Sequence, residues 1–82
     1  MRIYMQTPII PAEPLRFCHL LLQQDLISGW TLVRESGQQG SAGRIRRQHF
    51  PTREAAEEAL IQEREQQRKR GFMVVFAEGA SG

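Results

Sequence analysis

The residues of this sequence that could perform nucleophilic or acid–base chemistry are few and widely spaced. They are Cys18, His19, His49, Asp25 and scattered glutamates. Cys18 and His19 are neighbours, so on a strand their side chains would point to opposite faces and could not form a nucleophile–base pair. His49 has no acidic partner near it in the sequence. The pattern favours packing or surface roles for these residues and predicts a protein that is not an enzyme.

Metal and cofactor chemistry finds equally little support. Cys18 is the single cysteine and cannot form an internal disulfide, and two histidines beside it do not make a zinc-binding spacing. No glycine pattern fits a dinucleotide or P-loop fingerprint. The loop 40–43 could offer backbone N–H groups to a phosphate, although most loops of glycine and serine are simple turns. The sequence therefore predicts no metal, no cofactor and no evident small-molecule substrate.

The basic residues carry more information. The net charge is only +2, but ten of the eleven basic residues are arginine, and the pI is about 9.3. A guanidinium group grips phosphate with a flat fork of donors, so this bias fits an anionic partner. It fits a GC-rich genome equally well, because arginine codons then replace lysine codons.

Four arginines flank one glycine-rich segment, which covers residues 36–43. Arg34 precedes the segment, and Arg44, Arg46 and Arg47 follow it. If the flanking residues form a hairpin, all four lie around one end of a sheet, with Arg47 on the face opposite Arg44 and Arg46. One interpretation is a phosphate-binding patch that approaches nucleic acid. The other is a solvated hairpin in which arginine serves solubility.

The elements that would position these residues follow from periodicity and turn residues. Alternating apolar residues between proline and glycine breaks predict strands at 2–9, 15–23, 30–35 and 44–50, and the segment 72–76 is predicted to be a last strand or a buried tail. The second strand is apolar on both faces, which indicates a central position. Thr52 is a good N-cap for a helix over 53–70, with acidic residues in its first turns, basic residues in its last turns and Gly71 after its end.

These elements predict an α+β fold, in which a small antiparallel sheet of four to five strands carries one helix on one face. The length of 82 residues predicts a single domain. Its core should cover about 3–76, and the tail 77–82 should fray. We expect a cytoplasmic protein, because the lone cysteine suits a reducing compartment and no apolar run suggests a signal peptide or a membrane span.

The central run of the sequence resembles the WGR domain, a family with a Trp-Gly-Arg signature. It runs from Trp30-Thr31-Leu32-Val33-Arg34-Glu35 through Gly37, Gly40 and Gly43 to Arg44. The resemblance continues through Arg46-Arg47, the Phe50-Pro51-Thr52 start of the helix and Arg70-Gly71-Phe72, with the upstream strand 16–20 also similar. It covers about 3–76 and implies the same sheet-and-helix fold. In eukaryotic poly(ADP-ribose) polymerases this domain contacts DNA at breaks, whereas bacterial members also occur as short stand-alone proteins.

The signature itself is degenerate in this chain. Ser36 stands at the tryptophan position and Gln38 at the arginine position, and only Gly37 is kept. Serine has no π-face, so a stacking contribution of ~1–3 kcal/mol per base is missing. The resemblance implies a non-catalytic module that binds DNA weakly and non-specifically through Arg34, Gly37, Gln38, Arg44, Arg46 and Arg47. The alternative is a protein–protein interaction module that has lost DNA binding.

Overall fold

A computed structural model describes residues 1–79 of the chain, which form five strands and one helix. The elements are β1 (Arg2–Gln6), β2 (Arg16–Gln24), β3 (Trp30–Gln38), β4 (Arg44–Phe50), α1 (Arg53–Lys69) and β5 (Met73–Glu78). The strands form one sheet in the order β4-β3-β2-β1-β5, and every neighbouring pair is antiparallel. The predicted α+β fold, with one helix packed on an antiparallel sheet, is confirmed.

The hydrophobic core lies between the helix and the central strands. On β2 the alternate residues Cys18, Leu20 and Leu22 are buried, and they lie beside Met5 and Ile3 of β1. This period of two is the pattern of a strand with one buried face. The central position predicted for the second strand is also confirmed, because β2 pairs with β1 on one side and β3 on the other.

The helix is capped at both of its ends and packs on the sheet between them. At its start, Thr52 Oγ1 accepts a hydrogen bond from the Ala55 N–H at 3.2 Å, and Arg53 lies over the Trp30 ring at 5.5 Å. Ala56 and Leu60 are fully buried against the sheet. At its end, the Phe72 N–H donates to the Gln67 carbonyl at 2.9 Å, and the chain turns back into β5. Small side chains in the first half thus bring the helix close to the sheet.

Every predicted element except β4 has at least one boundary that differs from the structure, although β2 is only shifted by one residue and β5 begins only one residue later. β1 ends at Gln6, because the chain must leave the sheet before the prolines, and the helix ends one residue early. β3 extends to Gln38, because 36–38 continue the ladder with β2 in spite of their small polar side chains. β5 extends to Glu78, so Ala77 and Glu78 pair with β1 and do not belong to a frayed tail. Of the rest of that predicted tail, Gly79 forms an exposed bend, and 80–82 lie outside the described residues.

Within residues 1–79, no helix is long and apolar enough to cross a membrane. The helix α1 has 17 residues and carries charged side chains along its length.

Candidate functional site

One open groove of about 750 Å³ lies beside the helix C-terminus, where β2, β3 and β4 meet the glycine-rich loop. We call it the arginine groove, because five of the residues that line it are arginines. These are Arg16, Arg34, Arg44, Arg46 and Arg70. The remaining wall includes Ser36, Gly37 and Gln38 of β3, Gln67 of the helix and Phe72 after it. The site therefore gathers residues from across the sequence at one end of the sheet.

The strand register explains why these arginines converge. Arg46 pairs with Arg34, and Arg44 pairs with Ser36. Arg16 pairs with Gln38 on the next strand. Paired residues of neighbouring antiparallel strands share one face of a sheet, so all three arginine-bearing strands present their positive charge on the face that the helix only partly covers.

The groove concentrates positive charge in a protein whose net charge is only +2. None of the residues that line it is acidic. Arg44, Arg46, Arg16 and Arg70 are exposed, whereas Arg34 is half-buried and its guanidinium donates to Glu63 Oε1 of the helix. The groove can therefore offer several solvated guanidinium groups to a polyanion.

Arg34 is fixed by a small polar network. The same Glu63 Oε1 accepts a hydrogen bond from Nε2 of the buried Gln67 at 3.1 Å. Both donors would lose their partner if the carboxylate were removed, and an unsatisfied buried donor costs roughly 1–3 kcal/mol. Arg34 thus anchors the second half of the helix on β3, which is a structural role that its position beside the loop did not reveal.

Two glycines let the loop close over the end of the sheet. A Cβ atom on Gly37 would lie 3.1 Å from the Gly43 Cα, and one on Gly43 would lie 3.0 Å from the Glu35 Cγ and 3.1 Å from the Phe17 ring. These distances are below ordinary van der Waals contact, so side chains there would push β3 and β4 apart. The Ser41 N–H is used within the loop, since it donates to the Gln38 carbonyl at 3.1 Å.

The arginine groove brings together five of the six residues predicted from the sequence. Arg34, Gly37, Gln38, Arg44 and Arg46 all line it. Arg47 pairs with Val33 and lies on the other face of the sheet, as the alternation along the strand predicts.

Sequence reasoning missed two arginines of the groove. Arg70 looks like a cation that compensates the helix dipole, but the turn into β5 brings it to the groove wall. Arg16 lies far from the glycine loop in the sequence, and only its pairing with Gln38 brings it to the site. Arg16 stands two residues before the buried Cys18, so the alternation along the strand places both on the same face of the sheet. This spacing was the signal in the sequence that could have identified Arg16.

The cysteine cannot serve as a nucleophile in this structure. Cys18 is completely buried. Burial, reinforced by the Glu63 carboxylate and opposed by Arg34 and Arg70, raises the pKa of its thiol to about 11. The reactive form of cysteine is the thiolate, so at neutral pH this side chain is an inert part of the core. His19 lies on the opposite face of β2, where it pairs with Glu35.

His49 does have an acidic partner, which the sequence analysis missed. Its Nδ1 lies 2.7 Å from Asp25 Oδ2, and the Thr31 hydroxyl donates to Asp25 Oδ1 at 2.5 Å. The other side of the imidazole packs beside Gly29, where a Cβ atom would lie 2.9 Å from Nε2. The contact between Asp25 and His49 therefore connects the β2–β3 loop to β4.

The fold and the groove together define a small α+β domain with an arginine-lined surface. Within residues 1–79, no cluster of three or more His, Cys, Asp or Glu side chains could hold a metal ion. A comparison with models of known protein families, with characterised proteins and with solved structures finds no match. Any function must therefore be argued from the groove itself.

Proposed function

We propose that this protein binds nucleic acid, with the phosphate backbone lying in the arginine groove. The observation that supports this most strongly is the convergence of five arginines from β2, β3, β4 and the helix end on a groove without an acidic residue in its wall. An extended polyanion can contact several of these side chains at once.

The chemistry of the groove fits phosphate better than it fits a base edge. Arginine forks pair with phosphate oxygens in a bidentate way, and phosphate contacts give affinity without reading sequence. The side chains at 36–38, where the WGR signature would stand, are small or uncharged, so they supply neither stacking nor charge. We therefore propose weak binding without sequence preference, in which DNA is the ligand that the WGR resemblance favours.

A fluorescence anisotropy titration with short labelled duplex and nicked DNA tests the proposal over a range of salt concentrations. Arg16, Arg44, Arg46 and Arg70 are exposed and line the groove. If these four each contact a phosphate, log K should fall with log salt at a slope of about −3.6, which is −0.9 for each contact. Absence of binding at low salt, or binding with no salt dependence, would contradict the proposal.

The alternative function is a protein–protein interaction module that no longer binds DNA. It predicts protein partners that remain bound after nuclease digestion, together with no affinity for DNA in the titration above. The exposed apolar strand β5 is the observation that favours a protein contact, and it lies across the sheet from the arginine groove.

A further inference from the structure

The outer edge of β5 carries an unusual combination of features for a small domain. In the order of strands formed by residues 1–79, β5 is the last strand and only its inner edge is paired, with β1. Its side chains are all exposed, and four of them are large and apolar: Met73, Val74, Val75 and Phe76, which are 44–57% exposed. Unpaired backbone groups beside apolar side chains form a template for another strand.

We propose that β5 is the site at which two copies of this chain pair, edge to edge and antiparallel, to form a continuous ten-stranded sheet. An antiparallel pair of identical strands is related by a two-fold axis, so the contact closes after two copies. In the register that pairs all six residues, Val75 stands opposite Phe76 of the other copy. Valine and aromatic residues are favourable cross-strand partners.

The charges at the ends of β5 support a second copy as the occupant. The single charged residue of the strand is Glu78, at its C-terminal end. In the symmetric register Glu78 stands opposite Met73 of the other copy. Met73 begins its strand shortly after the basic C-terminus of that copy's helix. That terminus carries Lys69, the groove residue Arg70 and Arg68, of which Arg68 is already paired with Glu65 of its own helix at 3.0 Å. The acidic end of each strand therefore approaches a positive region of the other copy, and the two-fold symmetry repeats this contact.

The other edge of the sheet cannot pair in the same way. A symmetric antiparallel pairing of β4 would place Arg47 directly opposite the Arg47 of the other copy, with further arginines close by. Like charges placed directly opposite one another destabilise a strand pair. The dimer should therefore not extend into a longer array.

The expected dimer is weak. The ladder has six residues, and the pairing of β5 with β1 is irregular between Tyr4 and Met5, which leaves Val75 without a partner on β1. Such a bulge twists an edge and limits the ladder that can be added to it. The contact is also smaller than a standard interface of roughly 1,600 Å², so we expect a Kd of about 10–100 μM.

Sedimentation velocity of the full chain at rising concentration tests this inference. We expect the mass to rise from the 9.4 kDa of one chain towards twice that value. Val75→Lys should raise the Kd about tenfold or more, because it places a charge in the middle of the ladder. The matched control is Ile45→Lys on β4, where the native side chain is 51% exposed, and this variant should dimerise like the wild type.

A second variant keeps the test decisive if Val75→Lys disturbs the fold, which circular dichroism would reveal. Glu78→Gln should weaken the dimer about threefold and should leave the thermal unfolding of the monomer nearly unchanged, because it puts no second positive charge opposite Arg2 of β1. A wild-type chain that stays monomeric at millimolar concentration would overturn the inference. A dimer that both variants leave intact would overturn it too, because another surface, such as the exposed Leu26–Ile27 loop tip, would then hold the copies together.

Discussion

The two edge strands of this sheet carry opposite kinds of surface. β4, at one edge, has three arginines in seven residues, and β5, at the other, has four large apolar residues in six. Both strands are exposed along almost their whole length. Their difference is therefore one of side-chain chemistry, since both present an unpaired row of backbone groups.

With such different side chains, the two edges of a small sheet can serve two kinds of partner. Arginines discourage a second strand from pairing with β4 and at the same time attract a polyanion. β5 has no such protection, and its apolar side chains favour protein contact. With three strands between them, the two edges can be altered separately, which makes the comparison testable.

Reversing the charge of arginines in the arginine groove should have the largest effect, and that effect is on DNA affinity. The double variant Arg44→Glu, Arg46→Glu replaces two attractive contacts by two repulsive ones, so its DNA affinity should fall on the order of 100-fold at low salt. Anisotropy titration measures the loss. The control is Arg47→Glu on the other face of the same strand, which reverses one charge instead of two and should cost only about threefold. Equal losses from both faces would show that the groove is not the binding surface.

The core that joins the two edges should lose stability in alkaline solution. The pKa of the Cys18 thiol is raised from about 9 to about 11 by burial, so the thiol ionises first in the unfolded chain. Its contribution to the free energy of unfolding is complete below pH 9 and is lost as the pH rises to about 11. The loss is on the order of 2 kcal/mol.

Urea unfolding measured across this pH interval checks the prediction about Cys18. The variant Cys18→Ala should have a smaller decline, because the remaining decline comes from other groups that titrate there. If the two proteins decline in parallel, the thiol is not held neutral by its surroundings.

Restoring the two missing residues of the WGR signature should strengthen DNA binding at the arginine groove without affecting β5. Ser36 and Gln38 line the groove, so Ser36→Trp combined with Gln38→Arg adds a stacking ring and a cation there. We expect blunt-end DNA to bind about tenfold more tightly, which corresponds to one stacked base. Unchanged affinity for DNA ends, measured with hairpins that expose a single end, would mean that this loop does not face DNA.

The smallest predicted effect concerns the charge of Arg34. Glu63→Gln removes the carboxylate that pairs with Arg34, so DNA affinity should rise about threefold while the free energy of unfolding falls by about 1 kcal/mol. Glu58→Gln changes the net charge equally at an exposed helix position and should alter neither quantity by as much. Identical behaviour of the two variants would show that only net charge matters.

Local signals in the sequence predicted most of the fold. The Thr52 cap, the charge gradient along the helix and Gly71 placed α1 to within one residue of its observed end. Apolar residues on both faces predicted that β2 is central, and β4 has its predicted bounds. The ends of β3 and β5 were predicted too short, because serine, glycine and glutamate there have low strand propensity and are held in place by pairing with β2 and β1.

The candidate site was predictable only in part, because it depends on pairing between distant segments. Arg34, Arg44 and Arg46 are close to the glycine loop in the sequence and line the groove, whereas Arg47 lies on the other face. Arg16 and Arg70 join them through the β2–β3 register and the return of the chain after the helix. The ion pair of Arg34 with Glu63 spans 29 residues, so no local pattern in the sequence could indicate it. The same holds for the contact between His49 and Asp25.

The most direct test of the proposed nucleic-acid binding is an NMR titration of the wild-type chain with a short DNA duplex, followed residue by residue. We expect chemical-shift changes that cluster in the arginine groove, at Arg16, 36–38, 41–46 and Arg70. Met73–Glu78 of β5 should be unaffected at a concentration where the chain is monomeric. Changes centred on β5, or no changes at low salt, would contradict the proposed binding.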